Sequence, residues 1–216
     1  MKPNAMQTTA GFVRLITALA LLTAITWQVS DRLANNVFRP GEYFAYFTIQ
    51  TSMIAAVALT VAGIRSLKGL EETKLLNRVR LSVVSYAVVV GVVYNALLRG
   101  LPGAAEDGNY VWPVIPNEIL HVWAPIVIFL EFAIFRVTNR ATIKQIFWVL
   151  LFPLAWLIFS ILRGFATDWW AYWFLNPNDP GGITQMVTYI FGIMFFLLVA
   201  ASAAVGASKL LRNNLR

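Results

Sequence analysis

Six stretches of this chain are long and apolar enough to cross a lipid bilayer as helices, which takes about 20 residues each. They cover residues of about 11–29, 43–64, 80–98, 117–135, 145–163 and 185–207. Charged residues make up only 12% of the 216 positions, about half the share typical of soluble domains. In hydrocarbon, a spanning segment must satisfy its own backbone hydrogen bonds. The sequence therefore predicts an all-α integral membrane protein, folded as a single six-transmembrane-helix bundle over residues 1–216.

The basic residues are unevenly divided between the two sides that six spans create. One side, which includes both termini, carries 13 of the 17 Lys and Arg residues. The opposite side carries only Arg32, Arg39, Arg99 and Arg163. Because short cytoplasmic loops are enriched in Lys and Arg, this bias predicts that the N and C termini are both cytoplasmic.

Composition excludes several classes of functional site. The chain has no cysteine and a single histidine, so thiolate sites are excluded and a zinc or di-iron centre is not expected. We therefore predict neither a metal nor another cofactor. The formal net charge is +7, but the basic residues fall in short loops between apolar spans. This distribution points to membrane lipid headgroups as partners and not to nucleic acid.

The single histidine, His121, lies within the fourth apolar stretch, IPNEILHVWAPIVIFLEF. An ionisable side chain inside a membrane span is by default a candidate functional residue. With the predicted topology, His121 lies five residues past Pro116, about 7.5 Å below the outer surface, while Thr48 lies six residues past Glu42, about 9 Å below it. The histidine and the threonine are thus predicted to lie at a similar depth.

Further polar residues are predicted in the same layer of the bundle. Asn95 and Arg99 are four residues apart on one face of span 3, and Asn117 and His121 have the same spacing on span 4. The remaining supporting or substrate-binding candidates are Tyr46, Glu118 and Arg163. The inner halves of the spans are nearly all Val, Leu, Ala, Ile and Phe. Because lipid does not tolerate polar groups on outward faces, this asymmetry predicts a polar, water-reachable cavity in the outer half.

A threonine and a histidine at one depth are suited to nucleophilic catalysis. A threonine hydroxyl attacks a carbonyl carbon once a base takes its proton, and a neutral imidazole can take that proton and return it to the leaving alkoxide. A third group often fixes the imidazole tautomer, and the sequence leaves four candidates open: Asn117, Glu118, Asn95 and Tyr94. Donors suited to stabilising an oxyanion are Asn95, Arg99 and Arg163.

The same residues also have purely structural interpretations. Thr48 can bond back to a helix carbonyl, His121 can join two helices by a hydrogen bond, and the arginines can extend to lipid headgroups. Glu131, near the cytoplasmic end of span 4, is expected to pair with a basic loop residue. The Trp- and Tyr-rich loops at 99–116 and 163–182 are typical of an interfacial aromatic belt, or they form a lid over an outward-opening cleft.

Four stretches of the chain resemble the androgen-induced family of multispan membrane hydrolases, and in particular its bacterial branch. They occur in order as YFAYFTIQTSMI (43–54), VVYNALLRG (92–100), NEILHVWAPIVIFLE (117–131) and FPLAWLIFSILRGFATDWWAYWFLNP (152–177). In that family an aromatic-rich lead precedes the nucleophilic threonine, and the histidine stands a few residues before a proline and an acidic residue.

This resemblance implies that Thr48 is the nucleophile and His121 the base. It implies a hydrolase of lipid or fatty-acyl esters, such as fatty acid esters of hydroxy fatty acids, located in the bacterial cell (inner) membrane. The chain departs from the family pattern in the stretch around Arg163 and in span 3, so the substrate does not transfer from the resemblance.

Two other functions remain open from the residues alone. In a transporter or proton-coupled carrier, His121, Glu118 and the arginines would line a substrate path. No inverted repeat of the kind that many transporters carry is visible, and the apolar inner halves argue against a path to both faces. The other alternative is a non-enzymatic membrane protein that binds a lipid or a partner in the outer cleft. The sequence predicts no oligomeric state.

Overall fold

The computed structural model describes residues 2–101, 107–135 and 143–214, and these residues form helices and turns but no strand. Six helical segments are each long and apolar enough to cross a membrane, which confirms the predicted all-α six-span bundle. The spans run over Ala5–Ala34, Phe47–Leu67, Lys74–Leu98, Val114–Phe135, Gln145–Thr167 and Gly182–Leu211. The orientation of the termini stays a prediction.

Three of the spans are built from more than one helical segment. Span 1 is α1 (Ala5–Ala34), α2 (Pro40–Tyr43) is a short helix in the following loop, and span 2 is α3 (Phe47–Leu67). Span 3 joins α4 (Lys74–Val93) to a π-helical turn (Tyr94–Leu98). Span 4 joins α5 (Val114–Glu118), a second π-helical turn (Ile119–Trp123) and α6 (Ala124–Phe135). Span 5 comprises α7 (Ile143–Trp148) and α8 (Leu151–Thr167), and span 6 is α9 (Gly182–Asn214).

Spans 1 and 3 begin before the predicted apolar stretches, and at each start a polar side chain caps the helix. Asn4 forms a capping box with Gln7 at the start of span 1, and the Thr73 side chain accepts from the backbone of Leu76 at the start of span 3. Span 2 instead begins four residues later than predicted. The separate helix Pro40–Tyr43 occupies that region, with proline in its first turn.

The two ends of the bundle differ in the residues that hold them together. We call the end with the loops at 35–46, 99–113 and 168–181 the aromatic end, and the end with the N terminus and the loop at 68–73 the basic end. Spans 1 and 2 cross closely near the basic end at Gly11 and Gly63. A Cβ atom added to Gly63 would lie 3.0 Å from the carbonyl oxygen of Gly11. Glycine at both positions allows the two backbones to meet.

Glu131 is held between two buried arginines at the basic end. Its carboxylate accepts from Arg14 Nε at 2.5 Å and from Arg80 Nη2 at 2.6 Å. Glu72 pairs with both arginines as well, and Arg14 also donates to Ser66 Oγ at 2.6 Å. These side chains join spans 1, 2, 3 and 4.

This ion network corrects two expectations. Glu131 was expected to pair with a basic loop residue, but Arg14 and Arg80 lie inside spans 1 and 3 and are almost fully buried. The inner halves of the spans are therefore not simply apolar. The pairing has a physical reason, because an isolated buried charge costs several kcal/mol and is retained only with partners of opposite charge.

A second set of ion pairs fastens the aromatic end of span 1. Asp107 accepts two hydrogen bonds from Arg32 Nη2, each 3.1 Å long, and another from Arg39 Nη2 at 2.5 Å. The Arg32 guanidinium lies 4.5 Å from the ring centre of Trp112, and Tyr110 donates to Asp31 at 2.7 Å. Residues 107–112 are thereby held against span 1 and the start of the following loop.

Span 5 packs its backbone less closely against the bundle after its first helix. The α7 segment packs its backbone against spans 3 and 6, whereas α8 makes no close backbone contact over several residues with any other described helix. At the turn between them, the Tyr86 hydroxyl donates to the carbonyl of Val149 at 2.9 Å. Farther along, α8 is fixed by Trp156, whose indole N–H donates to the carbonyl of Ala45 at 2.9 Å. Span 5 is thus separated from its neighbours by side chains along most of its length.

We predict that Glu131→Gln lowers the stability of the bundle. The substitution keeps the size of the side chain but removes its charge, leaving Arg14 and Arg80 with a single carboxylate. Breaking a buried ion pair from one side costs about 3–5 kcal/mol. Thermal unfolding of the purified protein in detergent should show a clearly lower Tm. Glu71→Gln, at an exposed position of the neighbouring loop, is the matched control, and equal Tm values for the two variants would contradict the prediction.

Candidate functional site

Both spans that carry the predicted polar layer widen into a π-helical turn at the aromatic end. In span 3 the backbone N–H of Arg99 donates to the carbonyl of Tyr94 at 2.7 Å, and in span 4 the N–H of Ala124 donates to the carbonyl of Ile119. Each bond connects residues five apart, as in a π-helix. Single π turns inside α-helices are frequent at functional sites. Here they lie beside each other and contain Tyr94, Asn95 and His121.

His121 is fixed by two neighbours. Its Nδ1 atom lies 2.9 Å from the backbone carbonyl oxygen of Asn117, and its ring stacks on Tyr94 with 3.9 Å between ring centres. The Asn117 side chain donates in turn to the Tyr94 hydroxyl at 2.5 Å. The imidazole is therefore held in position and in orientation by one residue of its own helix and one of span 3.

Arg99 and Glu118 form a bidentate ion pair beside this histidine. The two hydrogen bonds measure 2.6 and 3.0 Å. Arg99 Nε also donates to the Asn95 side chain at 2.8 Å, and Asn95 donates to the backbone carbonyls of Gly91 at 2.7 Å and of His121 at 3.4 Å. We refer to these six residues as the His121 cluster: Tyr94, Asn95, Arg99, Asn117, Glu118 and His121.

The geometry of the His121 cluster determines the imidazole tautomer. A carbonyl oxygen accepts hydrogen bonds and cannot donate, so Nδ1 must carry the proton that bonds to Asn117. In the neutral ring, Nε2 then holds the free lone pair. No residue of the described ranges forms a hydrogen bond with Nε2. With Nδ1 bonded to Asn117, Nε2 is the ring nitrogen that can accept a proton, which is what a general base requires.

Thr48 lies in a different part of the aromatic end, at the start of span 2. Its side chain is 8% exposed and lines a cavity enclosed by spans 2, 3, 5 and 6. Tyr172 lines the same cavity, with its hydroxyl close to the Thr48 hydroxyl and to the backbone at the start of span 2. Burial raises the pKa of Tyr172 to about 12. Tyr172 therefore remains protonated at neutral pH and can donate a hydrogen bond there.

This Thr48 cavity is apolar apart from a few hydroxyl groups. Its empty volume, with the open mouth included, is about 630 Å³. Most of its walls are aliphatic side chains of spans 3, 5 and 6, together with Phe47, Trp156 and Phe174. The hydroxyl groups that its lining residues carry belong to Thr48, Tyr94 and Tyr172. A lining of this composition is chemically suited to hydrocarbon, with the threonine as its reactive polar group.

The structure brings together five of the eight predicted site residues and leaves three elsewhere. Asn95, Arg99, Asn117, Glu118 and His121 all belong to the His121 cluster. Tyr46 packs edge-on against Trp169, with 5.5 Å between ring centres. Arg163 donates to the carbonyl of Gly41 at 2.9 Å and lies 4.6 Å from the Trp169 ring. Arg163 is therefore engaged in joining span 5 to the loop before span 2.

Thr48 and His121 are not hydrogen-bonded to each other in the part of the chain that the structure describes. Tyr94 is the residue that connects their surroundings, because it stacks on His121 and also lines the Thr48 cavity. Thr48 and His121, which were predicted to lie at a similar depth, thus share Tyr94 as a neighbour but are not hydrogen-bonded to each other.

The sequence did not identify Tyr172 as a partner of Thr48. Trp and Tyr residues next to spans usually belong to an interfacial belt, and nothing in the run DWWAYWFLNP distinguishes one ring from the next. Nor does the sequence give a signal for the π turns. For metals, the described ranges contain no group of three or more His, Cys, Asp or Glu side chains that could hold an ion.

Comparison with protein-family models, curated proteins and solved structures finds no match for this chain. The resemblance to the androgen-induced hydrolases consequently rests on the four sequence stretches alone, and function has to be argued from the site.

We predict that His121 is present as the Nδ1-protonated tautomer in the folded protein. Because it is the only histidine, ¹⁵N-histidine labelling gives a single pair of ring signals in detergent micelles. Nδ1 should give a protonated-type and Nε2 an unprotonated-type ¹⁵N shift, and unfolding should replace this pattern by the tautomer mixture of a free imidazole. A folded protein with the proton on Nε2 would contradict the geometry of the His121 cluster.

Proposed function

We propose that this protein is an integral membrane hydrolase of lipid esters that uses Thr48 as nucleophile and His121 as general base. The observation that carries the proposal is the position of Thr48, a buried hydroxyl in an otherwise apolar cavity between membrane spans. An acyl chain in this cavity would bring its ester carbonyl to the threonine. The resemblance of the surrounding stretches to the androgen-induced family also supports this assignment, including fatty acid esters of hydroxy fatty acids as candidate substrates.

The proposed reaction has two steps. In the first, Thr48 Oγ attacks the ester carbonyl carbon while its proton passes to His121 Nε2, and the tetrahedral intermediate then expels the alcohol, which takes the proton from the imidazolium. In the second, a water molecule activated by the same nitrogen hydrolyses the acyl-threonine and releases the fatty acid. The Nδ1–H bond to Asn117 leaves Nε2 as the proton acceptor.

The Thr48–His121 contact would form when substrate is bound. Catalytic hydrogen bonds are often long or misaligned in enzymes without substrate and shorten in the reacting complex. Tyr94 is the group whose position would have to change, because it borders both the imidazole and the cavity.

Tyr172 is the best candidate for stabilising the negative charge that develops on the carbonyl oxygen. Its phenol is close to Thr48 and protonated at neutral pH, so it can donate a hydrogen bond but is a poor proton acceptor. Asn95, Arg99 and Arg163, which the sequence suggested for this task, bond to other groups: Arg99 to Glu118 and Asn95, Asn95 to backbone carbonyls, and Arg163 to Gly41.

A second candidate function is lipid binding without hydrolysis. The missing hydrogen bond between Thr48 and His121 favours it, because an apolar cavity can hold an acyl chain without any chemistry. A transporter has less support, since the Arg14–Glu131–Arg80 network occupies the basic end of spans 1, 3 and 4.

We further propose that the aromatic end faces outward from the bacterial cell membrane, as the distribution of Lys and Arg favours.

We expect Thr48→Ala to abolish hydrolysis of a lipid ester by the purified protein in detergent. Removing a nucleophile lowers turnover by about a thousandfold or more, and labelling by a fluorophosphonate probe should disappear with it. His121→Gln should cause a similar loss of turnover. Lipid binding should persist in both variants, because neither substitution alters the apolar walls.

Thr51→Ala is the matched control for the nucleophile. Thr51 lies one turn farther along the same helix and donates its hydroxyl to the carbonyl of Phe47 at 2.8 Å, so it should be dispensable for turnover. Full turnover and labelling in Thr48→Ala would disprove the nucleophile assignment. Lipid binding by wild-type protein without any hydrolysis or labelling would favour the second candidate.

We predict that Tyr172→Phe lowers kcat by about a hundredfold while KM changes little, as happens when one oxyanion donor is lost. Phenylalanine preserves the ring contacts with Phe174 and Trp156, so the cavity should keep its shape. Tyr189→Phe is the control, because Tyr189 packs on Trp173 and Phe174 and does not line the cavity. Equal kcat values for Tyr172→Phe and wild type would exclude this role.

A further inference from the structure

The Thr48 cavity lies next to the part of span 5 that packs least closely on the bundle. The α7 segment packs its backbone against spans 3 and 6, but α8 makes no close backbone contact over several residues with any other described helix. We call the part of the cavity that lies between α8 and span 6 the gap. Pro153 and Leu157 line the cavity from α8, and Ile190 and Met194 line it from span 6.

The rim of this gap is apolar and belongs to helices long enough to span a membrane. Leu157 and Met194 are half-buried, and residues next to them on the outer surfaces are exposed and apolar, including Ile158 and Phe191, the latter 72% exposed. All four lie within helices long and apolar enough to span the membrane. A gap bordered in this way inside a bilayer is filled by acyl chains, because water gains nothing from such walls.

At the aromatic end the cavity is covered by ring stacking. Tyr172 stacks on Phe174 with 5.2 Å between ring centres, and Phe174 stacks on Tyr189 of span 6 at 5.5 Å. Trp173 packs on the same tyrosine at 5.1 Å and donates to the carbonyl of Leu97 at 3.4 Å. These residues connect spans 3 and 6 across the aromatic end of the cavity.

From these three observations we propose that the acyl chain of a bilayer lipid enters the Thr48 cavity sideways, through the gap between α8 and span 6. The proposal rests on the proposed function for its chemistry and deepens it in one respect: the substrate is a lipid dissolved in the membrane and not an ester taken up from water. Leu157 and Met194 form the two sides of the opening.

The test uses full-length protein in phosphatidylcholine vesicles that contain a trace of phosphatidylcholine with a diazirine in one acyl chain. After irradiation, labelled residues are mapped by mass spectrometry. We expect label on Val90 and Leu197, which are buried in the bundle and line the cavity. Lipid on the outer surface cannot reach them, so absence of label from both residues in the wild-type protein would overturn the proposal.

Met194→Trp should narrow the gap and reduce the labelling of Leu197 by about tenfold, the size of effect that one misfitted group has in an apolar pocket. Phe195→Trp adds bulk to an exposed surface position of the same helix that does not line the cavity and should leave that labelling unchanged. Leu157→Trp narrows the gap from the α8 side and replaces Met194→Trp in the test if Met194→Trp does not fold. Equal labelling in a folded rim variant and in the control would overturn the proposal.

Turnover separates this proposal from the proposed hydrolysis. In a hydrolase, Met194→Trp should lower the rate on a vesicle-embedded long-chain ester but spare a short, water-soluble p-nitrophenyl ester. Labelling of Leu197 without turnover of any ester would remove the hydrolase and leave the sideways path standing. Ester turnover without labelling of Val90 and Leu197 would overturn the sideways path and leave the hydrolase standing.

Discussion

The pairing of Glu131 with Arg14 and Arg80 is the constraint around which the rest of the bundle is arranged. Inside a membrane each of these charges is tolerable only next to the others, so spans 1, 3 and 4 are fixed at one end. The glycine crossing joins span 1 to span 2 near the same end, and the Arg32–Asp107 bonds fasten span 1 at the aromatic end. Spans 5 and 6 have no comparable ion pair among the described residues, and both of them line the cavity.

The candidate site divides its tasks between two neighbouring regions. The His121 cluster is polar and rigidly bonded, with each member fixed by at least one partner. The Thr48 cavity is apolar and has room for a chain. Tyr94 belongs to both regions, so its position decides whether they act together. A hydrolase and a lipid-binding protein would differ mainly in whether the Tyr94 ring can move enough for the Thr48 hydroxyl to contact the His121 imidazole.

Hydropathy and spacing in the sequence predicted much of this structure. Apolar length alone located the six spans, and the four-residue spacing of Asn117 and His121 predicted that they share a helix face, where a hydrogen bond now joins them. From their charge, Arg14 and Arg80 were assigned to the side of the membrane that is rich in Lys and Arg. The charge of a residue does not show whether its side chain is buried, so their burial was not predicted. Their partner Glu131 lies 117 residues from Arg14, and such distant pairs have no local signal.

The looser backbone packing of α8 and the position of Tyr172 beside Thr48 also had no signal in the sequence, for a related reason. Both depend on how helices pack against each other, and an aromatic ring or an apolar helix has the same sequence pattern whether it faces lipid or a cavity. The apolar run of span 5 predicts that it crosses the membrane but not how closely α8 packs against span 6. The exact bounds of span 2 depended on the separate helix around Pro40, which apolar length does not reveal.

The π turn of span 4 has a consequence for aligning this chain with related sequences. A π turn adds one residue to an α-helix, and one residue corresponds to about 100° of rotation around the helix axis. Asn117 and Glu118 before the turn are therefore out of phase with Ala124 and Pro125 after it. A homologue with an uninterrupted α-helix would be one residue shorter here. Alignments that forbid a single-residue gap between 119 and 123 would match His121 to the wrong position.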